Sequence, residues 1–346
     1  MKNIKLNKIP SIFKNTKLSH SVNITTNNLL AQEGAFVVVE ILESEGFKQE
    51  IDYANGRLGL VVKGDVIPAV LGYRKAPVEF AGVVPKSINV NDELYLLCES
   101  GVVGDIKGVF PSWGKPLKVK ILGGILNENK QQVKLLDFAL PAANQTKTKT
   151  PIIAFIGTRM DCGKTIMACK VAHALKQKGK KVAAAKLTGV AFSQDLYKLE
   201  EYGANPVLDF VDMGLPSTCN GNVKQVIAAA NNLINHLKKS NPNLIILEFG
   251  DSIIGEYHVA DILQNLNINQ QIDGVVLAAN DFCGIKGAQK ALADLKLKVD
   301  LVTGPVVNSQ IGIELVDKYF SLPAESNQGE IITTMKVISK IIKQKK

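Results

Sequence analysis

Aromatic residues make up only 6 % of the 346-residue chain, with a single tryptophan. Proteins that grip nucleic-acid strands stack bases on aromatic side chains set in a basic groove. Here 41 lysines and arginines against 32 acids leave a net charge of +9, but the lysines are spread out and gather only at the ends, residues 1–17 and 336–346. A nucleic-acid partner is therefore disfavoured, and the excess charge reads as solvated surface lysine. The cysteines, Cys98, Cys162, Cys169, Cys219 and Cys283, are odd in number and lack C-x-x-C spacing. That argues against a zinc site and a disulfide framework. No apolar run reaches membrane-helix length, and Asn, Lys and Pro interrupt the basic start before any signal-like segment. No membrane partner and a reducing cytoplasm are the expectations. The composition, 46 % hydrophobic and 21 % charged, is that of an ordinary globular protein of about two domains.

What stands out instead is Gly157-Thr158-Arg159-Met160-Asp161-Cys162-Gly163-Lys164-Thr165. It follows the apolar run 151–156 and precedes a helical pattern through Ile166, Cys169, Val171, Ala172 and Leu175. Strand, glycine loop and helix are the context in which a phosphate-binding loop is meaningful. Its N–H groups and the helix N-terminus would receive an anion. Lys164 would neutralise outer phosphates and Thr165 would ligate Mg²⁺. Five residues rather than the common four separate Gly157 from Gly163.

Around this loop the chain has two textures. Residues 1–30 are Asn- and Lys-rich and read as an irregular arm, and 31–141 as a β-rich barrel- or sandwich-like domain. Its strands are expected at 35–41, 66–71, 79–84, 94–98, 117–122 and 133–138, with a hairpin at Asn55-Gly56. Gly101 to Gly104 and Trp113 fall in a turn-rich stretch, where bends are the plainer reading than a ligand site. Residues 142–150 read as a linker. From 151 to 346 apolar strands at 181–186, 244–248, 274–279 and 299–303 alternate with helical stretches at 223–239, 259–266, 288–295 and 311–319. This is an α/β pattern, a parallel sheet flanked by helices, whose ligands lie at the carboxyl ends of its strands.

That rule selects the remaining candidates. Lys186, entering the turn Leu187-Thr188-Gly189, is placed to hold a terminal phosphate or an anionic substrate. Glu248 ends an apolar strand and is the first choice to orient Mg²⁺, with Asp251 second. Asp209 is a further metal or substrate carboxylate, with a turn or cap role for it or Asp212 equally open. Asn308 offers an amide that both donates and accepts, suited to a purine. Cys162 reads as loop filler rather than nucleophile, His173 and His236 as structural, and His258 as the one histidine worth mutating.

These stretches resemble the dethiobiotin synthetase-like branch of P-loop proteins over residues 151 to about 320. Gly157-Thr158 to Gly163-Lys164-Thr165 is similar to that enzyme's glycine loop. Lys186-Leu187-Thr188-Gly189 resembles its Lys-Pro-x-x-Gly turn without the proline and with shorter spacing, and Glu248-Phe249-Gly250 resembles its Glu-Gly-x-Gly-Gly turn with Phe249 in place of a glycine. Val306-Val307-Asn308 is similar to its adenine-side strand end. A second likeness is to a domain-of-unknown-function group that includes enzymes assigned as D-glutamate N-acetyltransferases, in which Asp209-Phe210 would match an Asp-Phe segment. The resemblance covers nothing before residue 142. It implies ATP and Mg²⁺ as cofactors, a small-molecule substrate and a homodimer.

The reading is then an ATP- and Mg²⁺-dependent kinase or ligase that activates a carboxylate, carbamate or amino acid. Lys164, Lys186 and Glu248 would be catalytic. Gly157, Thr158, Asp161, Cys162, Gly163, Lys164, Thr165 and Asn308 would hold the nucleotide, and Thr165, Glu248 and Asp209 the metal. The alternatives are an acetyl-CoA-dependent N-acyltransferase whose loop grips CoA phosphates, and a nucleotide-dependent switch or carrier.

Overall fold

The computed structural model describes residues 2–44, 49–146, 148–219 and 222–345. The chain divides into two compact units. One is Met1–Pro141 with Val190–Gln194 and Phe210–Asn220; the other is Ala142–Gly189 with Asp195–Asp209 and Gly221–Lys346. The main span of the first unit ends at Pro141, where the β-rich stretch was expected to end, but two short later segments also belong to it, so a single cut does not separate the units.

The first unit carries β1 (Lys2–Lys5), β2 (Ser21–Thr25), β3 (Phe36–Ile41), β4 (Glu50–Asp52), β5 (Leu58–Leu60) and β6 (Val66–Leu71). There follow β7 (Arg74–Lys75), β8 (Phe80–Val83), β9 (Glu93–Cys98), β10 (Val102–Val109) and β11 (Lys118–Ile125). Pairing closes a ring: β11 with β3, β3 with β6, β6 with β10, β10 with β9 and β9 with β11. Such closure leaves the five strands no free edge, which makes this a small barrel. Alternate residues point inward at period two. Val37, Val39 and Ile41 of β3 meet Ile67, Ala69 and Leu71 of β6, Leu94 and Leu96 of β9, and Val119 and Ile121 of β11 in one buried cluster.

Three expectations fail here. Residues 2–30 are not an irregular arm, because β1 and β2 form an antiparallel pair and β2 joins β11. The strand expected at 133–138 is a 3₁₀ turn, Leu135–Phe138. The turn-rich reading fails only between its ends: Gly101 stands in a turn (φ 100°) and Trp113 in the 3₁₀ turn Pro111–Trp113, but Val102–Val109 form β10, a member of the ring whose register shifts between Val102 and Val103.

The second unit alternates strand and helix. Its elements are β12 (Ile152–Gly157), α1 (Lys164–Lys176), β13 (Val182–Thr188), α2 (Gln194–Glu201), β14 (Ala204–Asp209), α3 (Val223–Lys239) and β15 (Leu244–Phe249). Then come α4 (Val259–Gln264), α5 (Leu266–Asn269), β16 (Gly274–Ala278), α6 (Phe282–Asp294), β17 (Leu301–Thr303), α7 (Gln310–Phe320) and α8 (Ile332–Lys345). The strands form one parallel sheet in the order β14-β13-β15-β12-β16-β17. Its central strands are buried on both faces, as helix-covered parallel sheets require. One helix layer is fixed by Met167, Ala168, Val171, Ala172 and Leu175 of α1, which pack with Ile338 and Ile341 of α8 on Ile153, Phe155, Ala184 and Ile246. Among the described residues no helix is long and apolar enough to cross a membrane.

Candidate functional site

β12 ends at Gly157, and the chain turns through Asp161 (φ 56°) and Gly163 (φ 92°) into α1. Both glycines are dictated by space. A Cβ on Gly157 would stand 2.6 Å from the Cys162 sulfur and 2.8 Å from Lys164 Nζ. One on Gly163 would meet Asn327 Nδ2 at 2.0 Å, on a backbone that L-residues rarely adopt. The first-turn N–H groups of α1 have no partner within the helix, so the loop presents donors and a positive dipole end together. Cys162 is fully buried.

Lys164 opens α1 and is 5 % exposed. Its ammonium donates to Arg159 O at 2.8 Å and Asp251 O at 3.0 Å, so it is stretched across the loop by backbone carbonyls. Asp251 thus enters through its main chain. Burial raises its own carboxyl above the ordinary range, and Lys164 partly opposes that.

One residue further, Thr165 Oγ1 donates to Glu248 Oε1 at 2.5 Å. The second oxygen, Oε2, is buried with no hydrogen-bond partner among the described residues. Glu248 is 2 % exposed. Burial and then Asp195 push its carboxyl up, while Lys186, the Thr165 hydrogen bond and Lys164 pull it down, and the net direction is upward. Cys169, one turn along α1, feels the same carboxylates; burial first, then Glu248 and Asp195, push its thiol up to about 12. It remains a neutral thiol.

Sheet register builds the other half of the site. Lys186 of β13 lies level with Asp209 on β14 and Glu248 on β15, and Glu248 lies level with Phe155 on β12. In-register neighbours of a parallel sheet share a face. Here it is the face on which α1 packs through Phe155. Lys186 is tied to Asp195 in the first turn of α2, Nζ to Oδ2 at 2.5 Å. Burial alone would lower the lysine's pKa, but Asp195, Glu248 and Asp209 raise it above its usual value. Burial works against the Asp195 carboxylate too, yet Lys186 holds it below the ordinary range. The pair therefore stays fully charged at neutral pH.

The three residues expected at the metal are spread over this arrangement. β13 and its lysine stand between Asp209 and Glu248, and no group of three or more His, Cys, Asp or Glu side chains gathers as a metal cage among the described residues. Thr165 and Glu248 remain adjacent, whereas Asp209 belongs to the surroundings of Lys186. Thr158 takes the Ala278 carbonyl through its N–H at 3.0 Å. Asn308 follows the turn Pro305–Val307, is exposed, and accepts from Ser326 Oγ at 2.9 Å. His258 stands at the N-terminal boundary of α4 without a capping hydrogen bond, and its Nδ1 pairs with Asp261 at 2.7 Å. Two participants escaped the sequence reading, Asp195 and Asn327. An acid in the first turn of a helix after a strand-end lysine was the available signal for Asp195; nothing in the sequence marks Asn327.

Asp195→Asn is expected to cost about 3 kcal/mol in urea unfolding at pH 7, because it leaves a buried lysine without its nearest counter-charge. Adding Lys186→Met to that variant should restore part of the loss. A change below about 0.5 kcal/mol would mean that Lys186 is screened by Glu248 and Asp209 instead.

No family model matches the sequence, and no curated protein matches it. Solved structures give weak likenesses. The cell division protein FtsY of Thermotoga maritima is 15 % identical, with a TM-score of 0.39 over 60 % of this chain and 74 % of that one. The signal recognition particle receptor FtsY of Elizabethkingia anophelis in complex with GDP gives 18 %, 0.39, 60 % and 69 %. The signal recognition particle 54 kDa protein of Aeropyrum pernix in complex with GDP gives 15 %, 0.38, 58 % and 48 %. None of the three is a dethiobiotin synthetase or a D-glutamate N-acetyltransferase, so the resemblances drawn from the sequence gain no support from them. TM-scores below 0.4 carry no argument about ligand or partner, and the P-loop architecture rests on this chain's own strand, loop and helix.

Proposed function

We propose that the second unit binds ATP with Mg²⁺ at the loop from Gly157 to Thr165 and activates a small carboxylate, carbamate or amino acid by phosphoryl transfer. The observation that carries this reading is the Thr165–Glu248 pair at the loop's end, with a buried carboxylate oxygen left unpartnered. A hydroxyl and a carboxylate form the all-oxygen donor set that a hard divalent cation takes, so the residues fit Mg²⁺. Bound there, ATP·Mg²⁺ supplies a transferable phosphoryl group whose charge is already partly neutralised.

The chain's own residues do the rest. The loop N–H groups orient an anion, and Lys164 exchanges two backbone carbonyls for phosphate oxygens. Lys186, kept charged by Asp195, holds the anionic acceptor or the group in flight. Positioning and charge neutralisation account for most of what this reaction needs. Asn308 would read the base.

Calorimetric titration of the full chain with ATP, GTP and coenzyme A, each with and without Mg²⁺, tests the proposal. ATP binding that strengthens at least about tenfold with Mg²⁺ is expected. A preference for GTP keeps the chemistry and removes the base assignment. Coenzyme A binding alone replaces phosphoryl by acyl transfer, and binding of none of the three sinks the reading.

A further inference from the structure

The C-terminal helix carries a feature that the nucleotide site does not use. α8 buries Thr334, Ile338 and Ile341 and turns its opposite side to solvent. Along this side runs an open cavity of about 890 Å³. Its apolar lining comes from Ile331 and Met335, which are half-buried against the core on the flank of the helix, and from Ile332, which is 56 % exposed. Lys336, Lys340 and Lys343 border it at positions i, i+4 and i+7, one stripe about 10 Å long. Lys178, just past the end of α1, adds a fourth lysine from a separate element, and Glu330 is the one acid in the lining. None of the four lysines makes a side-chain ion pair among the described residues, and Lys340 alone feels an acid outside the lining, the Asp300 carboxylate.

An apolar strip bordered by four lysines without a side-chain ion pair and by a single lining acid is complementary to a surface that is apolar along one line and acidic beside it. Nucleic acid calls for aromatic stacking partners, and no aromatic residue lines the groove. We infer that this groove docks an acidic amphipathic helix of a partner protein, with apolar anchors on the apolar strip and Glu or Asp at i, i+4 and i+7 against the lysine stripe.

Fluorescence anisotropy of a labelled helical peptide of about 18 residues, with leucines on one face and glutamates flanking them, tests this on the full chain. A Lys-for-Glu version of the peptide and vesicles containing phosphatidylserine serve as comparisons. The acidic peptide is expected to bind in the micromolar range and to weaken at least tenfold at about 0.5 M salt. Lys336→Glu with Lys340→Glu should cost tenfold or more without moving the thermal midpoint, and Lys178→Glu with Lys343→Glu gives an independent second variant should the first fail to fold. Absence of binding overturns the proposal, as does equal binding by both variants, binding of the basic peptide, or binding of vesicles alone. None of these outcomes depends on whether the P-loop binds ATP.

Discussion

Lys164→Ala is expected to weaken nucleotide binding by up to about a hundredfold while the protein stays folded. The ammonium lies where the loop closes on itself, with Arg159 O and Asp251 O as its acceptors. Charge-assisted hydrogen bonds to phosphate are worth up to about 3 kcal/mol, which corresponds to roughly a hundredfold in affinity. The same deletion leaves two carbonyls short of a donor and should lower stability by about 1–2 kcal/mol. The two effects separate cleanly, because the unfolding midpoint reports the second and calorimetry the first. Lys164→Arg should not restore binding, since the space beside Gly157 already holds the lysine Nζ within 2.8 Å of where a Cβ would sit. Wild-type affinity in either variant would remove Lys164 from the binding site. It would leave the loop as scaffold.

The sequence made the second unit legible because its strands are long unbroken apolar runs. β12, β15 and β16 are buried throughout and stand near their expected positions. β14 escaped notice since Asn205 and Pro206 break its pattern, and an edge position in the sheet is what tolerates them. α2 is a single short amphipathic stretch, and with it Asp195 went unseen. In the barrel, Gly104, Asp105, Lys107 and Gly108 interrupt β10, so a ring-closing strand looked like turns. β1 and β2 are thinly apolar strands whose order comes from β11 rather than from their own composition. At the site, the strand-end rule found Lys186 and Glu248 but not their spacing. Register alone shows that Lys186 separates Glu248 from Asp209.

Glu33→Gln should stabilise the first unit by several kcal/mol at pH 9 and leave it nearly unchanged at pH 4. Burial pushes this carboxyl up from 4.5 to about 8, and its Oε1 is buried with no hydrogen-bond partner among the described residues. A raised acid is tolerated in its neutral form. Its stabilising contribution is therefore whole below about pH 4.5, where both folded and unfolded chains bind the proton, and it drains away as pH rises through about 8. At about 1.4 kcal/mol per pH unit across that window the loss approaches roughly 5 kcal/mol. Glutamine keeps the neutral shape and never ionises, so its stability curve lacks this slope. Tyr73, whose phenol burial and then Glu33 hold above its ordinary range, shares the surroundings and should ionise more readily in the variant. The only tryptophan, Trp113, lies in this unit, so its fluorescence in urea titrations between pH 4 and 9 follows the relevant transition. Parallel curves for the two proteins would show that Glu33 is ionised in the folded state and solvated by water.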